Sequence, residues 1–180
     1  MKYKAITYPS AGFRESMSIG VSAPSSGLGT DVFIQRFELV AQQLAERGYK
    51  IIEGQCLRDD FKHVSGSSED RAEDLLNLWL NPGVGVIIPP WGGEVLIEIL
   101  DLDRLINSPS KWILGYSDTS TLLFALTLKT GIATAHGINF MDLIPSQSDP
   151  LSQQALEILK LSGGETFTQH SSEKHQLEFT

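Results

Sequence analysis

The stretch Trp112-Ile113-Leu114-Gly115-Tyr116-Ser117-Asp118-Thr119-Ser120-Thr121-Leu122-Leu123 decides the fold. It reads as a buried strand, a tight turn carrying one serine, and an apolar helix. The serine stands at a strand's C-terminal end and a helix's N-terminus at once. In an open α/β sheet that edge is where ligands bind. The N–H groups that open a helix lack partners within it, and the helix dipole favours negative charge there. A nucleophilic serine needs such donors, because its tetrahedral intermediate carries an oxyanion. The run Gly115-Tyr116-Ser117-Asp118-Thr119 approaches the strand-to-helix elbow G-x-S-x-G, with Thr119 in place of the last glycine. Alone, G-x-S-D is unspecific, and Ser117 or Asp118 capping the helix explains it equally well.

Two further strand-to-loop junctions lie upstream. Met17–Pro24 reads as a first core strand that stops at the proline, followed by the small-residue loop Ser25-Ser26-Gly27-Leu28-Gly29. A helix then starts at Thr30 or Asp31, shows Phe33, Phe37, Val40 and Leu44 at helical spacing, and stops at Gly48. Tyr49–Ile52 is a second strand, and residues 53–66 are a polar loop with Cys56 and His63. Ser67-Ser68-Glu69-Asp70 opens another helix, with Ala72, Leu75, Leu76 and Trp79 on its buried face. Val84–Pro89 is a continuous apolar run, as a strand buried on both faces requires. The glycine loop Pro90-Trp91-Gly92-Gly93-Glu94 follows, and Val95, Leu96, Ile99 and Leu100 pattern a short helix.

Downstream of the serine, Leu122–Leu128 is almost wholly apolar, which predicts a helix buried on most sides. Ile132–Gly137 is a short strand and turn, and Asp149 or Pro150 opens a last helix through Lys160. Residues 1–16 read as an edge strand or a lead-in. Strands alternate with helices throughout, so the expected fold is α/β: a Rossmann-like or flavodoxin-like parallel sheet with helices on both faces. The three loops bearing Ser25, Gly92-Gly93 and Ser117 then share one rim of that sheet, where a cleft forms.

Composition bounds the function. Hydrophobic residues make up 41% and charged ones 20% of 180 residues, an ordinary balance for one globular domain. The formal net charge of −8, with no basic cluster, argues against binding a phosphate backbone. A single cysteine, Cys56, permits no internal disulfide and lacks neighbours that would activate it. Neither a signal-peptide core nor a membrane-length apolar run is present, so the expected address is cytoplasmic, away from the membrane. His170 and His175 are five apart, unlike a helical metal pair, and no metal site is read.

Five pieces in register resemble the LD-carboxypeptidase family of serine peptidases, which includes muramoyl-tetrapeptide carboxypeptidases and microcin C self-immunity proteins. They are Ser22–Gly27, Ser68–Leu75, Gly92-Gly93, Gly115–Asp118 and Ala135–Gly137. The form Pro89–Glu94 looks more like the microcin-immunity branch. The resemblance implies a serine hydrolase acting on amide bonds beside a free carboxylate, with peptidoglycan recycling or toxin detoxification as its setting. It implies Ser117 as nucleophile, and the backbone N–H of Asp118 with that of Gly93 as the oxyanion hole. No metal or organic cofactor is implied. The implied partner is a small peptide or an aminoacyl-nucleotide substrate, and the full-length protein is expected to be a homodimer.

The family's catalytic Glu and His belong to a C-terminal domain. Residues 1–165 are therefore expected to form the nucleophile-bearing domain, and 166–180 to begin a linker to a second domain absent from this chain. Alone, the chain is expected to be inactive or nearly so. Within it, His136 is the best-placed substitute base, although a loop-holding role explains it better. His63 is expected to be solvated.

Around the nucleophile, Gly92, Trp91, Glu94 and Ser25 are candidate substrate contacts. Glu94 is either a partner for a substrate amine or the first-turn acid of the next helix. Trp91 either stacks on a ligand ring or packs in the core. Ser25 either binds substrate or caps its loop. Asp118 is expected to cap and orient. A non-catalytic Rossmann-like binding module is the competing reading, although no G-x-G-x-x-G follows the first strand.

Overall fold

The computed structural model describes residues 5–9, 13–14, 16–105, 108–144, 150–162 and 164–171. Five parallel strands form one sheet: β1 (Ser18–Val21), β2 (Lys50–Glu53), β3 (Val84–Ile87), β4 (Trp112–Gly115) and β5 (Ala135–His136). Their order is β2-β1-β3-β4-β5, so the winding direction reverses between β1 and β3. Loops that follow the strands on either side of such a reversal diverge and leave a crevice. Thr7 adds an isolated parallel bridge to Ile132 beyond β5, in keeping with an edge lead-in.

Helices α1 (Asp31–Glu46) and α4 (Pro150–Ile158) cover one face, and α2 (Ser68–Leu80) and α3 (Thr119–Thr130) the other. The caps are those the sequence predicts. Thr30 Oγ1 accepts from the Phe33 N–H, and Ser67 Oγ from the Asp70 N–H. Gly48 closes α1 at φ 90°, a left-handed conformation that costs glycine little.

Strand alternation divides the core in two. Ile19, Val21 and Leu114 meet Phe37, Val40 and Leu44 of α1 on one face. Ile113 meets Leu75, Trp79, Leu122 and Leu126 on the other. In β3 the alternation is broken, since Val84 and Val86 belong to opposite faces. The pairing register of β1 on β3 shifts there, between Ser18 and Ile19, as a bulge. Gly85 occupies the bulge because a Cβ would strike Met17 and Phe13 at about 3 Å.

One expectation needs correction. Helix α3 is not buried on most sides: Leu122, Leu123 and Leu126 face the core, whereas Phe124 and Leu128 are 69% and 59% exposed. The helix lies in an outer layer, so only the face toward the sheet finds apolar partners. The short helix expected after the Gly92-Gly93 loop is present as a single 3-10 turn, Leu96–Ile99. Of the expected linker, residues 166–171 are exposed without regular structure, and the rest lies outside the described residues, as does His175.

Candidate active site

β4 ends at Gly115 and α3 begins at Thr119, so two residues of sharp turn, Tyr116 and Ser117, precede the Asp118 helix cap. Ser117 sits at φ 62°, in the left-handed region that non-glycine residues avoid. Its carbonyl nevertheless accepts the Ser120 N–H at 2.9 Å, so the strained residue is locked into the first helical turn. The side chain is exposed at the rim. Exposure on a strained strand-to-helix turn is the geometry of a nucleophile elbow. Gly115 is needed beneath it, because a Cβ would meet Thr119 and the Asn139 carboxamide oxygen inside 3 Å.

The glycine loop after β3 closes over this turn. A Cβ on Gly92 would lie 2.7 Å from Ser117 Oγ and 3.0 Å from the Asp118 nitrogen. Only glycine therefore lets the loop backbone approach the serine hydroxyl and the amide beside it. Gly93 has φ 151°, and a Cβ there would collide with the hydroxyls of Ser25 and Ser26. The loop after β1 completes the rim. The Ser26 N–H reaches the Gly92 carbonyl at 3.4 Å, and Ser25 Oγ accepts the Val95 N–H at 3.1 Å.

Asp118 does not cap its helix through its side chain. Its carboxylate turns away and accepts from Ser25 Oγ at 2.7 Å and the Leu96 N–H at 3.0 Å. The orienting half of its expected role holds, because one carboxylate joins the three rim loops. The capping half gives way because a charged acceptor gains more from two partly buried donors than from solvated helix amides. Ser25 is thereby committed to holding the loops together, and its side chain is buried.

Ser117, Gly92, Gly93 and Trp91 line a cleft of about 400 Å³ together with Ser26–Thr30, Phe33, Asp60 and His63. The Trp91 ring is half-buried, donates from Nε1 to the Gly27 carbonyl at 3.2 Å, and meets Phe33 edge-on at 4.6 Å. It packs against the core, as one of the two sequence expectations has it, and also walls the cleft. Glu94 is exposed and lines a separate neighbouring pocket with Lys62, His63 and Gly93.

His136 is exposed and opens onto another pocket, of about 540 Å³, beside Tyr116, Arg36 and Asp142. Among the described residues no side-chain hydrogen bond ties it to a loop; the turn is held through its backbone, Gly137 N–H to Gly115 O at 3.0 Å. The Asp142 charge beside Tyr116 pushes that phenol's pKa up. Among the described residues no group hydrogen-bonds Ser117 Oγ, and no cluster of three His, Cys, Asp or Glu side chains could hold a metal.

Sequence reasoning missed several supports. Arg71 and Asp74 of α2, to which the sequence reading gives no place on the buried face, are 1% and 3% exposed. Asp74 accepts from Ser22 Oγ at 2.7 Å and from the Gln55 N–H, beneath the first rim loop. Burial raises its pKa, against the pull of those donors. Arg71 donates to the carbonyls of Pro24, Gly66 and Val95. Their spacing with Leu75 and Leu78 is the signal that puts them on the buried face. Phe33 and His63 at the cleft mouth carry no comparable signal; His63 is solvated as expected, at φ 67°.

The LD-carboxypeptidase N-terminal domain family matches residues 19–137, more than half of the chain. The microcin C7 self-immunity protein MccF of Escherichia coli is 34% identical over 128 residues, covering 69% of this chain and 35% of that protein. A murein tetrapeptide carboxypeptidase of Pseudomonas aeruginosa is 30% identical over 122 residues, 66% of this chain and 38% of the relative. The chain thus spans little more than a third of the length of these two relatives. Among solved structures, the MccF-like protein from Bacillus anthracis superposes with a TM-score of 0.77 at 25% identity, over 86% of this chain and 47% of that one. MccF in complex with glutamyl sulfamoyl guanosine gives 0.73 at 29%, with the same coverage.

Proposed function

The chain belongs to the LD-carboxypeptidase family, and on that premise we propose that Ser117 is the nucleophile of a hydrolase that cleaves an amide bond beside a free carboxylate. The observation that carries this reading is the left-handed Ser117, exposed on its turn, with the Gly92 backbone packed against its hydroxyl and the Asp118 amide.

In the proposed reaction Ser117 Oγ attacks the substrate carbonyl. The developing oxyanion is received by the N–H groups of Asp118 and Gly93, the latter brought close by Gly92. Collapse expels the amine, and water releases the acyl group from Ser117. The hydroxyl proton must pass to a base held by an orienting group. Both are assigned to chain outside the described residues, in keeping with relatives more than twice as long as the matched region. Gly92, Trp91 and Phe33 would contact substrate in the cleft. Glu94 would meet only a substrate long enough to reach the adjoining pocket. Ser25 is reassigned from substrate contact to loop support, on its bonds to Asp118 and Val95.

The substrate is a small peptide, as for a murein tetrapeptide carboxypeptidase, or an aminoacyl nucleotide, as for MccF. The aromatic wall of Trp91 and Phe33 favours the second, because a flat base stacks on such rings. No helix among the described residues is long and apolar enough to cross a membrane. A cytoplasmic homodimer is the proposed setting.

The test offers the natural full-length protein an L,D-tetrapeptide and an aminoacyl sulfamoyl adenosine, with Ser117→Ala as control. Turnover of either that disappears in Ser117→Ala supports the nucleophile and names the substrate class. Turnover of neither, with ligand still bound, would leave a binding module instead.

A further inference from the structure

Arg71 is a fully buried guanidinium in the second turn of α2, and it takes no part in the chemistry described so far. Its Nη1 donates to the Pro24 carbonyl at 2.8 Å and the Val95 carbonyl at 3.2 Å, its Nε to the Gly66 carbonyl at 3.1 Å, and its Nη2 to Glu98 Oε2 at 2.5 Å. Burying a charge is costly unless most of its donors are satisfied. Three of its partners are backbone carbonyls, from three different loops.

The Val95–Leu96 peptide group is held from both sides. Its carbonyl accepts from Arg71, and its N–H donates to the Asp118 carboxylate at 3.0 Å. The preceding N–H, of Val95, is held by Ser25 Oγ, whose own proton goes to Asp118. Pro24, the other Arg71 partner, is the residue before Ser25. A cation from α2 and an anion from the nucleophile turn therefore clamp one peptide plane, two residues after Gly93.

We infer that Arg71 is a positioning residue for the proposed oxyanion hole. It fixes the Val95 carbonyl so that the Gly92-Gly93 backbone stays packed against Ser117. The inference rests on the assignment of Ser117 and Gly93 above. Glu98 is the lesser partner, because it is half-exposed and its loss leaves all three carbonyl bonds of Arg71 in place.

The experiment uses the natural full-length protein as wild type, Arg71→Lys, Arg71→Met and Glu98→Gln, with two readouts. Amide hydrogen exchange is followed residue by residue, and Ser117 labelling by a fluorophosphonate probe is timed by intact mass. A lysine keeps the charge but cannot span all three carbonyls. In Arg71→Lys, exchange of the Val95 and Leu96 amides, which Ser25 and Asp118 hold, should rise about tenfold or more, while strand amides change by less than about threefold, the size expected for one or two lost hydrogen bonds in a local opening. Labelling of Ser117 should slow by about tenfold, with Glu98→Gln close to wild type and Arg71→Met worse than Arg71→Lys. A uniform rise in exchange along the chain, or an unchanged loop, would overturn the positioning role and leave Arg71 as general structural support. If Arg71→Met does not fold, the lysine and glutamine variants decide alone. If wild-type Ser117 resists the probe, the nucleophile assignment fails, and the exchange pattern still judges the clamp.

Discussion

Ser25 and Asp118 stand 93 residues apart in the chain, and their side chains meet at 2.7 Å. The same carboxylate takes the Leu96 N–H, so the loops after β1, β3 and β4 converge on one anion. This places the rigidity of the site in a side chain that is not itself at the reacting atoms. Asp118→Ala leaves the Leu96 N–H and the Ser25 hydroxyl without partners, and should cost about 1–3 kcal/mol in urea unfolding. Turnover should fall at least tenfold, because the donors are no longer held where the oxyanion is proposed to form. Asp118→Asn keeps one acceptor and should retain an intermediate level. Equal activity in all three proteins would show that the carboxylate is dispensable to the site.

Gly92→Ala tests the close approach of the loop to the proposed nucleophile. The new methyl group would sit 2.7 Å from Ser117 Oγ and 3.0 Å from the Asp118 nitrogen, at the place proposed for the substrate carbonyl. Gly92 is not at a positive φ, so alanine is tolerated by its own backbone. Contacts this short force the loop or the turn to shift, so the variant should fold with a lowered melting temperature and lose at least about a hundredfold in kcat, the scale of one lost oxyanion donor. Retained turnover would place the substrate carbonyl elsewhere.

The positions of Ser25, Gly92-Gly93 and Ser117 on one rim were legible because strand-loop-helix punctuation alone determines them. Each apolar run ends in small residues and is followed by a cap, and a parallel sheet aligns all its strand ends. What the pattern does not carry is the direction of a polar side chain. Asp118 occupies a cap position in sequence, yet its carboxylate is drawn to donors on two other loops. The buried-face pattern of α2 rests on apolar residues alone and so leaves out Arg71 and Asp74, whose burial is made tolerable by loop carbonyls and amides. The exposure of Phe124 and Leu128 escaped for the opposite reason, since an apolar run says nothing about whether a second neighbour exists to cover it. The shift of register at Gly85 depends on Met17 and Phe13 packing across the strand, a contact that no local pattern encodes.

Strain at Ser117 predicts a separation of stability from activity. At φ 62° a residue with a Cβ pays about 1–2 kcal/mol that glycine does not. Ser117→Ala keeps this cost and should unfold close to wild type. Ser117→Gly relieves it but adds freedom to the unfolded chain, worth about 0.5–1 kcal/mol in the other direction. The glycine variant should therefore be more stable than the alanine variant by up to about 1 kcal/mol, and both should be inactive. Chemical denaturation of the pair decides this, and an alanine variant as stable as the glycine variant would mean that the turn relaxes without strain.

Cys56 offers a test by pH. Burial, followed by the charges of Asp74, Asp70 and Asp59, pushes its thiol pKa from 9.0 up to about 11, with Arg71 pulling the other way. Only the thiolate alkylates quickly. In the folded protein the iodoacetamide rate, read by intact mass, should be very slow at pH 8 and keep rising beyond pH 10, where an ordinary thiol has already levelled off. The sign for stability follows from the same shift. Between pH 9 and 11 the folded thiol keeps a proton that the unfolded chain has released, so the folded state binds more protons and stability falls as pH rises through that window. The contribution is fully present below pH 9 and lost above 11. Cys56→Ala should therefore show a shallower fall in melting temperature across this range than wild type. An alkylation rate that levels off by pH 9, or identical slopes in the two proteins, would mean that the thiol is open to water and that the loop carrying it does not pack beneath the rim of the cleft.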